Sequence, residues 1–177
     1  NVDFEFIEKQ FAKGMMTKSG MTVSRWIDGV LEKNENIDQD PNLRALIFWG
    51  HAPNSQTRGL EMVEAMKKLD MMVVIDPYPS ASAAMAAMVR KDGVYLLPAS
   101  TQFECAGSAT ASNRSIQWRE KVIDPLFESR TDHMIMYQLA GKLGFADQLV
   151  GKKDGKQSIK LVKGKGGMDE PDVEDTL

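Results

Sequence analysis

Leu46-Ile47-Phe48-Trp49-Gly50, Met71-Met72-Val73-Val74-Ile75-Asp76 and Val94-Tyr95-Leu96-Leu97-Pro98 are three apolar stretches spaced about 25 residues apart. Each is a short, unbroken apolar run closed by Gly, Asp-Pro or Pro, the pattern of a strand buried on both faces rather than one facing water. Between the first two runs, Leu60, Val63, Met66 and Leu69 recur every three residues among Glu and Lys, which predicts an amphipathic helix. Between the second and third, Ser80 to Val89 is rich in Ala and Met, with Ser80 or Ser82 placed to cap a second helix. Strands alternating with helices predict an α/β unit: a parallel sheet with helices on both faces.

Working outward, Phe4, Phe6, Ile7 and Phe11, then Val23, Trp26, Ile27, Val30 and Leu31, fall near helical spacing and predict two short helices. The Asn- and Asp-rich run Glu32 to Asp40, closed by Pro41, has loop composition. Ala99 to Gln117 is small, polar and aperiodic, and reads as a long loop. Asp132 is placed to cap a helix carrying Ile135, Leu139 and Leu143, with Gly144 as its stop. Residues 151–177, lysine-rich and then acidic, read as a linker or flexible tail. The expected organisation is a helical lead-in over 1–40, an α/β domain over 43–150 and a tail over 151–177.

Composition narrows the function. The chain has 177 residues, 42% of them hydrophobic, enough for one well-filled core. No apolar run approaches the ~18 residues of a membrane-crossing helix, so direct membrane insertion is not expected. With 22 Lys plus Arg against 25 Asp plus Glu, the net charge is −3. There is no cationic field for nucleic acid, and any anion must be gripped locally. One cysteine, Cys105, and two histidines exclude a disulfide framework, a zinc finger and an iron–sulfur cluster carried by this chain alone. The chain opens on Asn1 with no basic or apolar leader pattern, as a segment cut from a longer polypeptide would.

Ligands of open parallel sheets bind beyond the carboxyl ends of the strands, where loops converge and helix N-termini present free N–H groups. Three loops qualify. The first, Gly50 to Gly59, combines a Gly for close backbone approach with His51, Asn54, Ser55, Gln56 and Thr57 as short polar groups, and Arg58 for a bidentate phosphate contact. A plain strand-to-helix connection is the competing reading, since no glycine-rich fingerprint is present. In the second, Asp76-Pro77-Tyr78-Pro79-Ser80, the carboxylate at a strand tip suits ribose hydroxyls or the N1–H and amine of a guanine. Its competitor is that Asp76 caps the next helix. The third, Glu104 to Arg114, is dense in small hydroxylated residues and ends on Asn113 and Arg114, as a surface lying flat against a large polar ligand would. Cys105 lacks the partners of a nucleophile or metal ligand and reads as an inert small residue. His133, in the first turn of a helix, reads as a surface or packing residue.

Taken together, Ala45 to Gly59, Val74 to Ala81, Gly93 to Ala99 and Gly107-Ser108-Ala109-Thr110-Ala111-Ser112-Asn113-Arg114-Ser115-Ile116-Gln117-Trp118-Arg119-Glu120 resemble the catalytic (alpha) subunit of molybdenum- or tungsten-dependent formate dehydrogenases. These belong to the bis-molybdopterin guanine dinucleotide oxidoreductases. The segment Asp132-His133 leading to Leu139-Ala140-Gly141-Lys142-Leu143-Gly144 resembles the family as well, so the likeness runs from about residue 15 to 150.

The resemblance implies a Rossmann-like, molybdopterin-dinucleotide-binding domain inside a much longer subunit. It places Gly50, His51, Asn54, Ser55 and Gln56 at the phosphate and pterin side, Asp76 and Ser80 at the guanosine, and Asn113, Arg114 and Gln117 along the same cofactor or against its neighbouring domains. It also implies two-electron interconversion of formate and carbon dioxide by the complete subunit, an iron–sulfur electron-transfer partner subunit, and anaerobic respiration. Exported relatives imply the periplasm, with the cytoplasm as the alternative. The family's metal ligand is a selenocysteine or cysteine followed by histidine, and its [4Fe–4S] cluster sits on an amino-terminal cysteine run. Neither motif is in this chain: Cys105 precedes Ala106, so no catalytic or metal-ligating residue is assigned, and the chain alone is expected to be inactive. The alternative is a stand-alone nucleotide-binding or cofactor-maturation module without redox activity.

Overall fold

The computed structural model describes residues 21–33, 36–37, 41–51, 58–153 and 156–174. The helix expected around Phe4 to Phe11, and the candidate residues Asn54, Ser55 and Gln56, lie outside the described residues. Strands β1 (Ala45–Trp49), β2 (Met71–Asp76) and β3 (Tyr95–Pro98) form one parallel sheet in the order β1-β2-β3. The register sets Trp49 opposite Ile75, Ile75 opposite Leu97, and Asp76 opposite Pro98. The expected α/β architecture is present, with helices on both faces.

Side chains alternate across a strand, so each face has its own cover. Leu46, Phe48, Met72 and Val74 face helices α1 (Trp26–Leu31), α2 (Gly59–Lys68) and α3 (Ala81–Val89). Here Met62, Met66 and Met72 are at most 2% exposed, each contributing about 1.5–3 kcal/mol of apolar burial. Trp26 meets Phe48 edge to face, ring centroids 5.6 Å apart. On the other face Val73, Ile75 and Leu97 pack under Ile135 and Leu139 of helix α4 (Asp132–Leu143). The strand-start half of that face, with Ile47, Met71 and Tyr95, stays exposed.

Local chemistry explains the helix ends, with some departures from expectation. Ser80 is the cap of α3, its Oγ accepting from Ala83 N at 3.2 Å. For α4 the cap is Thr131, one residue before the expected Asp132: Thr131 Oγ1 accepts from Met134 N at 3.3 Å. Asp132 is free of that duty and accepts instead from Trp49 Nε1 at 2.6 Å, joining α4 to the end of β1. Gly144 ends α4 at φ 84, a left-handed conformation that glycine adopts without steric cost. In α2 the buried stripe is Met62, Ala65 and Met66, while Leu60 is 87% exposed. Contact with α1 and α3, not the three-residue spacing of apolar residues, sets which face turns inward.

Arg90 closes the bottom of this layer. Only 8% exposed, its guanidinium donates to the carbonyls of Met66 (2.5 Å), Leu69 (2.7 Å), Gly93 (2.6 Å) and Asp70 (3.3 Å). The C-terminal carbonyls of a helix have no intrahelical donors and carry the negative end of its dipole. A buried cation is therefore tolerated there without a carboxylate partner.

Two stretches differ from their sequence reading. The expected long loop over 99–117 contains β4 (Gly107–Thr110), which pairs antiparallel with β5 (Ile116–Arg119) in a hairpin. Its side chains are exposed or half-buried on both faces, so it carries no period-two apolar signal. Within 151–177, β6 (Leu161–Lys163) pairs with β7 (Asp169–Pro171), which packs against α4 with Pro171 buried. Thr131 Oγ1 donates to Glu170 Oε2 in that contact. The lysine-rich and acidic composition concealed it, because its few apolar residues, Leu161, Val162 and Pro171, are too widely spaced to show a period.

Replacing Arg90 leaves several buried carbonyls without a donor. Arg90→Met is expected to lower the unfolding free energy by about 2–3 kcal/mol, and Arg90→Lys to recover only part, since an ammonium lacks the fork that reaches all the carbonyls. An unchanged urea midpoint in Arg90→Met contradicts this.

Candidate functional site

Parallel pairing sends the loops after β1, β2 and β3 out of one edge. Gly50 N donates to Ile75 O at 2.9 Å, and Gly50 turns off the strand at φ +57. Asp76 therefore stands beside Gly50 at the same edge. His51 is half-buried, its ring centroid 6.2 Å from that of Phe48.

Asp76 is half-buried, and its Oδ1 accepts from Tyr78 N at 3.1 Å. This local turn fixes the carboxylate at the strand tip. Asp76 does not cap α3; Ser80 does, so the lone pair of Ser80 is committed to Ala83 N while its O–H can still donate.

Next to Asp76 opens a groove of about 810 Å³. Pro77 and Tyr78 line it from the β2 end, Thr101, Gln102 and Phe103 from the β3 end, and Ile123, Leu126 and Phe127 across from them. Tyr78 is 73% and Phe127 94% exposed. Exposed apolar side chains gathered beside a polar carboxylate suit a flat, amphipathic ligand. Phe103, Ile123, Leu126 and Phe127 were not singled out by sequence reasoning. Their signal was apolar residues held in aperiodic loop, where helix or strand burial does not account for them.

Glu104 lies behind the groove, 3% exposed. Oε2 accepts from Thr101 N and Oε1 from Leu126 N, both at 2.6 Å. These backbone donors hold its carboxyl below the usual carboxylate range, Thr101 first, against the opposing effect of burial.

Other candidates stand apart. Asn113 closes the β4–β5 turn, its Oδ1 accepting from Ser115 N (3.1 Å) and Ser115 Oγ (2.7 Å), while Arg114 takes φ 66 at the tip. Gln117 is exposed on β5 opposite Ala109. The hairpin base is tied to the groove wall by Arg119 Nη1 donating to Gln102 Oε1 at 3.2 Å. At ~3.3 Å per strand residue the tip lies on the order of 10 Å further out. The structure thus brings Gly50, His51 and Asp76 together and leaves Asn113 and Arg114 at a separate point.

Arg58 does not offer its guanidinium to a phosphate as expected. It sits at φ 73 ahead of α2, donating from Nη1 to Asp28 Oδ1 at 2.6 Å and from Nε to Glu61 Oε2 at 2.5 Å. The bond from Arg58 is the main cause that holds the Asp28 carboxyl below its ordinary range. Cys105 Sγ donates to Thr101 O at 3.5 Å, and burial together with the Asp132 charge pushes its pKa up. A thiol kept neutral is a poor nucleophile and metal ligand. Among the described residues no group of three or more His, Cys, Asp and Glu could hold a metal ion, and no helix is long and apolar enough to cross a membrane.

Comparison with known proteins gives this edge a context. Residues 9–142 match the family described as molybdopterin oxidoreductase. The chain is 28% identical over 146 residues to the F420-dependent formate dehydrogenase subunit alpha of Methanocaldococcus jannaschii, covering 82% of this chain and 19% of that one. It is 31% identical over 133 residues to the trimethylamine-N-oxide reductase of Vibrio cholerae serotype O1, covering 69% of this chain and 15% of that one. The chain thus spans about a fifth or less of the length of these relatives.

Because Glu104 ionises more readily folded than unfolded, its contribution to stability is present above the ordinary glutamate value of about 4.3 and is lost as pH falls through the lower folded value. Glu104→Gln is expected to cost about 1–3 kcal/mol at neutral pH. The gap from the wild type should shrink below about pH 4; denaturation curves with the same gap at pH 7 and pH 3 contradict this.

Proposed function

Since the chain belongs to the molybdopterin oxidoreductase family, we propose that it is a cofactor-binding segment of a formate dehydrogenase large subunit, holding one guanine dinucleotide of a bis-molybdopterin cofactor. The observation that carries this reading is the Asp76 carboxylate, fixed at a strand tip at the same edge as the Gly50 turn and one residue before Pro77, where an aromatic-walled groove of about 810 Å³ begins. Guanine offers N1–H and an exocyclic amine to a carboxylate and a flat face to Tyr78 or Phe127, so donor set and cavity fit the group. When bound, the molybdenum or tungsten centre supplies two-electron exchange with the substrate.

This chain's part is to bind and orient. Asp76 accepts from the guanine, and Ser80 donates through its hydroxyl. Gly50 lets the backbone come close to the phosphate and pterin side, with His51, Asn54, Ser55 and Gln56 supplying polar contacts there. Asn113, Arg114 and Gln117 belong to the hairpin that meets the cofactor's outer parts or a neighbouring domain. Formate as substrate draws support from the Methanocaldococcus relative and from the resemblance of the strand-end loops. A [4Fe–4S] cluster elsewhere in the subunit, an iron–sulfur partner subunit and a periplasmic location belong to the same proposal.

In the full-length holoprotein, Asp76→Ala is expected to weaken dinucleotide binding by about 1–3 kcal/mol, read as guanine nucleotide released per polypeptide after acid hydrolysis. Wild-type occupancy in that variant refutes the Asp76 assignment. The holoprotein is expected to oxidise formate with an artificial acceptor. Reduction of trimethylamine N-oxide without formate oxidation refutes the substrate, and tight guanine-nucleotide binding without either activity favours a maturation module.

A further inference from the structure

The outer wall of the groove, residues 122–129, belongs to no helix or strand, so its position depends on what ties it down. Backbone bonds hold its ends: Val122 N and Ile123 N donate to Phe103 O at 2.9 and 3.1 Å, and Arg130 N donates to Pro98 O at 3.1 Å. The middle is held by two charged side chains. Glu104 links the walls by taking Thr101 N on one side and Leu126 N on the other. Lys165, from far along the chain, donates from Nζ to Pro125 O at 2.8 Å and to Phe127 O.

Phe127 needs this support. It adopts φ 49, a conformation unfavourable for a residue with a Cβ, while its ring stands 94% exposed in the groove. Two carbonyls that converge on one ammonium hold the turn in that conformation. The presenting segment begins in a closed backbone turn. Gly164 N donates to Met168 O at 2.8 Å, and a Cβ on Gly164 would collide with the side chains of Met134 and Glu170. Gly-Lys-Gly-Gly has the composition of a flexible linker, yet its first residue, Gly164, lies close against the Met134 side chain of α4.

We propose that Glu104 and Lys165 are positioning residues for the groove's ligand: they hold Leu126 and Phe127 as the wall against which the guanine end of the dinucleotide lies. The Gly164 to Gly167 turn is thereby part of the binding machinery. This rests on the reading that the groove beside Asp76 receives that end of the cofactor.

The test compares Lys165→Met, Lys165→Arg and Asp76→Ala in the full-length holoprotein. Each is assayed for guanine nucleotide per polypeptide and for its thermal unfolding midpoint. Lys165→Met is expected to lose occupancy about tenfold with a midpoint like that of the wild type. Lys165→Arg should restore most of it, because guanidinium N–H donors can meet both carbonyls. Full occupancy in Lys165→Met overturns the proposal, as does a loss that merely follows a lowered midpoint or one that Lys165→Arg does not restore. If Asp76→Ala empties the site and Lys165→Met does not, the positioning role alone fails. If Asp76→Ala keeps its nucleotide, the reading of the groove fails and the proposal with it.

Discussion

β2 pairs in parallel with β1 on one side and β3 on the other, Ile75 standing opposite both Trp49 and Leu97. A parallel ladder forces every connection to cross from one end of the sheet to the other, so helices must lie on its faces. It also sends all three outgoing loops to one edge. The register then decides which residues meet there: Trp49 opposite Ile75 and Asp76 opposite Pro98 bring the Gly50 turn, the Asp76 carboxylate and the chain after β3 side by side. Slipping one strand by a residue would turn its buried side chains to the wrong face and move Asp76 away from Gly50.

At the other end of the sheet the problem is polar. Helix α2 finishes with carbonyls that have no donor, and the crossover to β2 begins there. Arg90 supplies several donors from one planar group and so joins the ends of α2 and α3 to the start of β3. Near the carboxyl edge of the sheet Glu104 plays the opposite part, an anion that accepts from backbone N–H groups. Both are buried charges that bond directly to backbone groups, Arg90 to carbonyls and Glu104 to N–H groups. Each therefore holds backbone segments that no regular element would hold.

Much of this was legible from residue order. Unbroken apolar runs marked the strands, but only β2 is largely covered on both faces; Ile47 of β1 and Tyr95 and Leu96 of β3 stay exposed, against the reading of strands buried on both sides. Ser80 and Gly144 marked helix ends through chemistry that acts within a few residues. The strand-tip position of Asp76 followed from Ile75 and Pro77. By contrast, the hairpin over 107–119 escaped because neither of its faces is consistently buried. Arg58 was misread because its partner, Asp28, lies thirty positions earlier and no local pattern links them. The segment around Lys165 looked solvated since lysine, glycine and acidic residues are ordinary surface residues until a fold pairs them.

Residue order alone was enough for the three strands of the parallel sheet, the α/β class and the polar loops at the strands' carboxyl ends, since apolar runs and turn residues act locally. The buried face of α2, the ion pair of Arg58 with Asp28, and the meeting of Phe103, Leu126 and Phe127 in one groove with Pro77 came from long-range packing. Those outcomes depend on pairs of residues far apart in the chain, and their energies exist only once the sheet has brought them together.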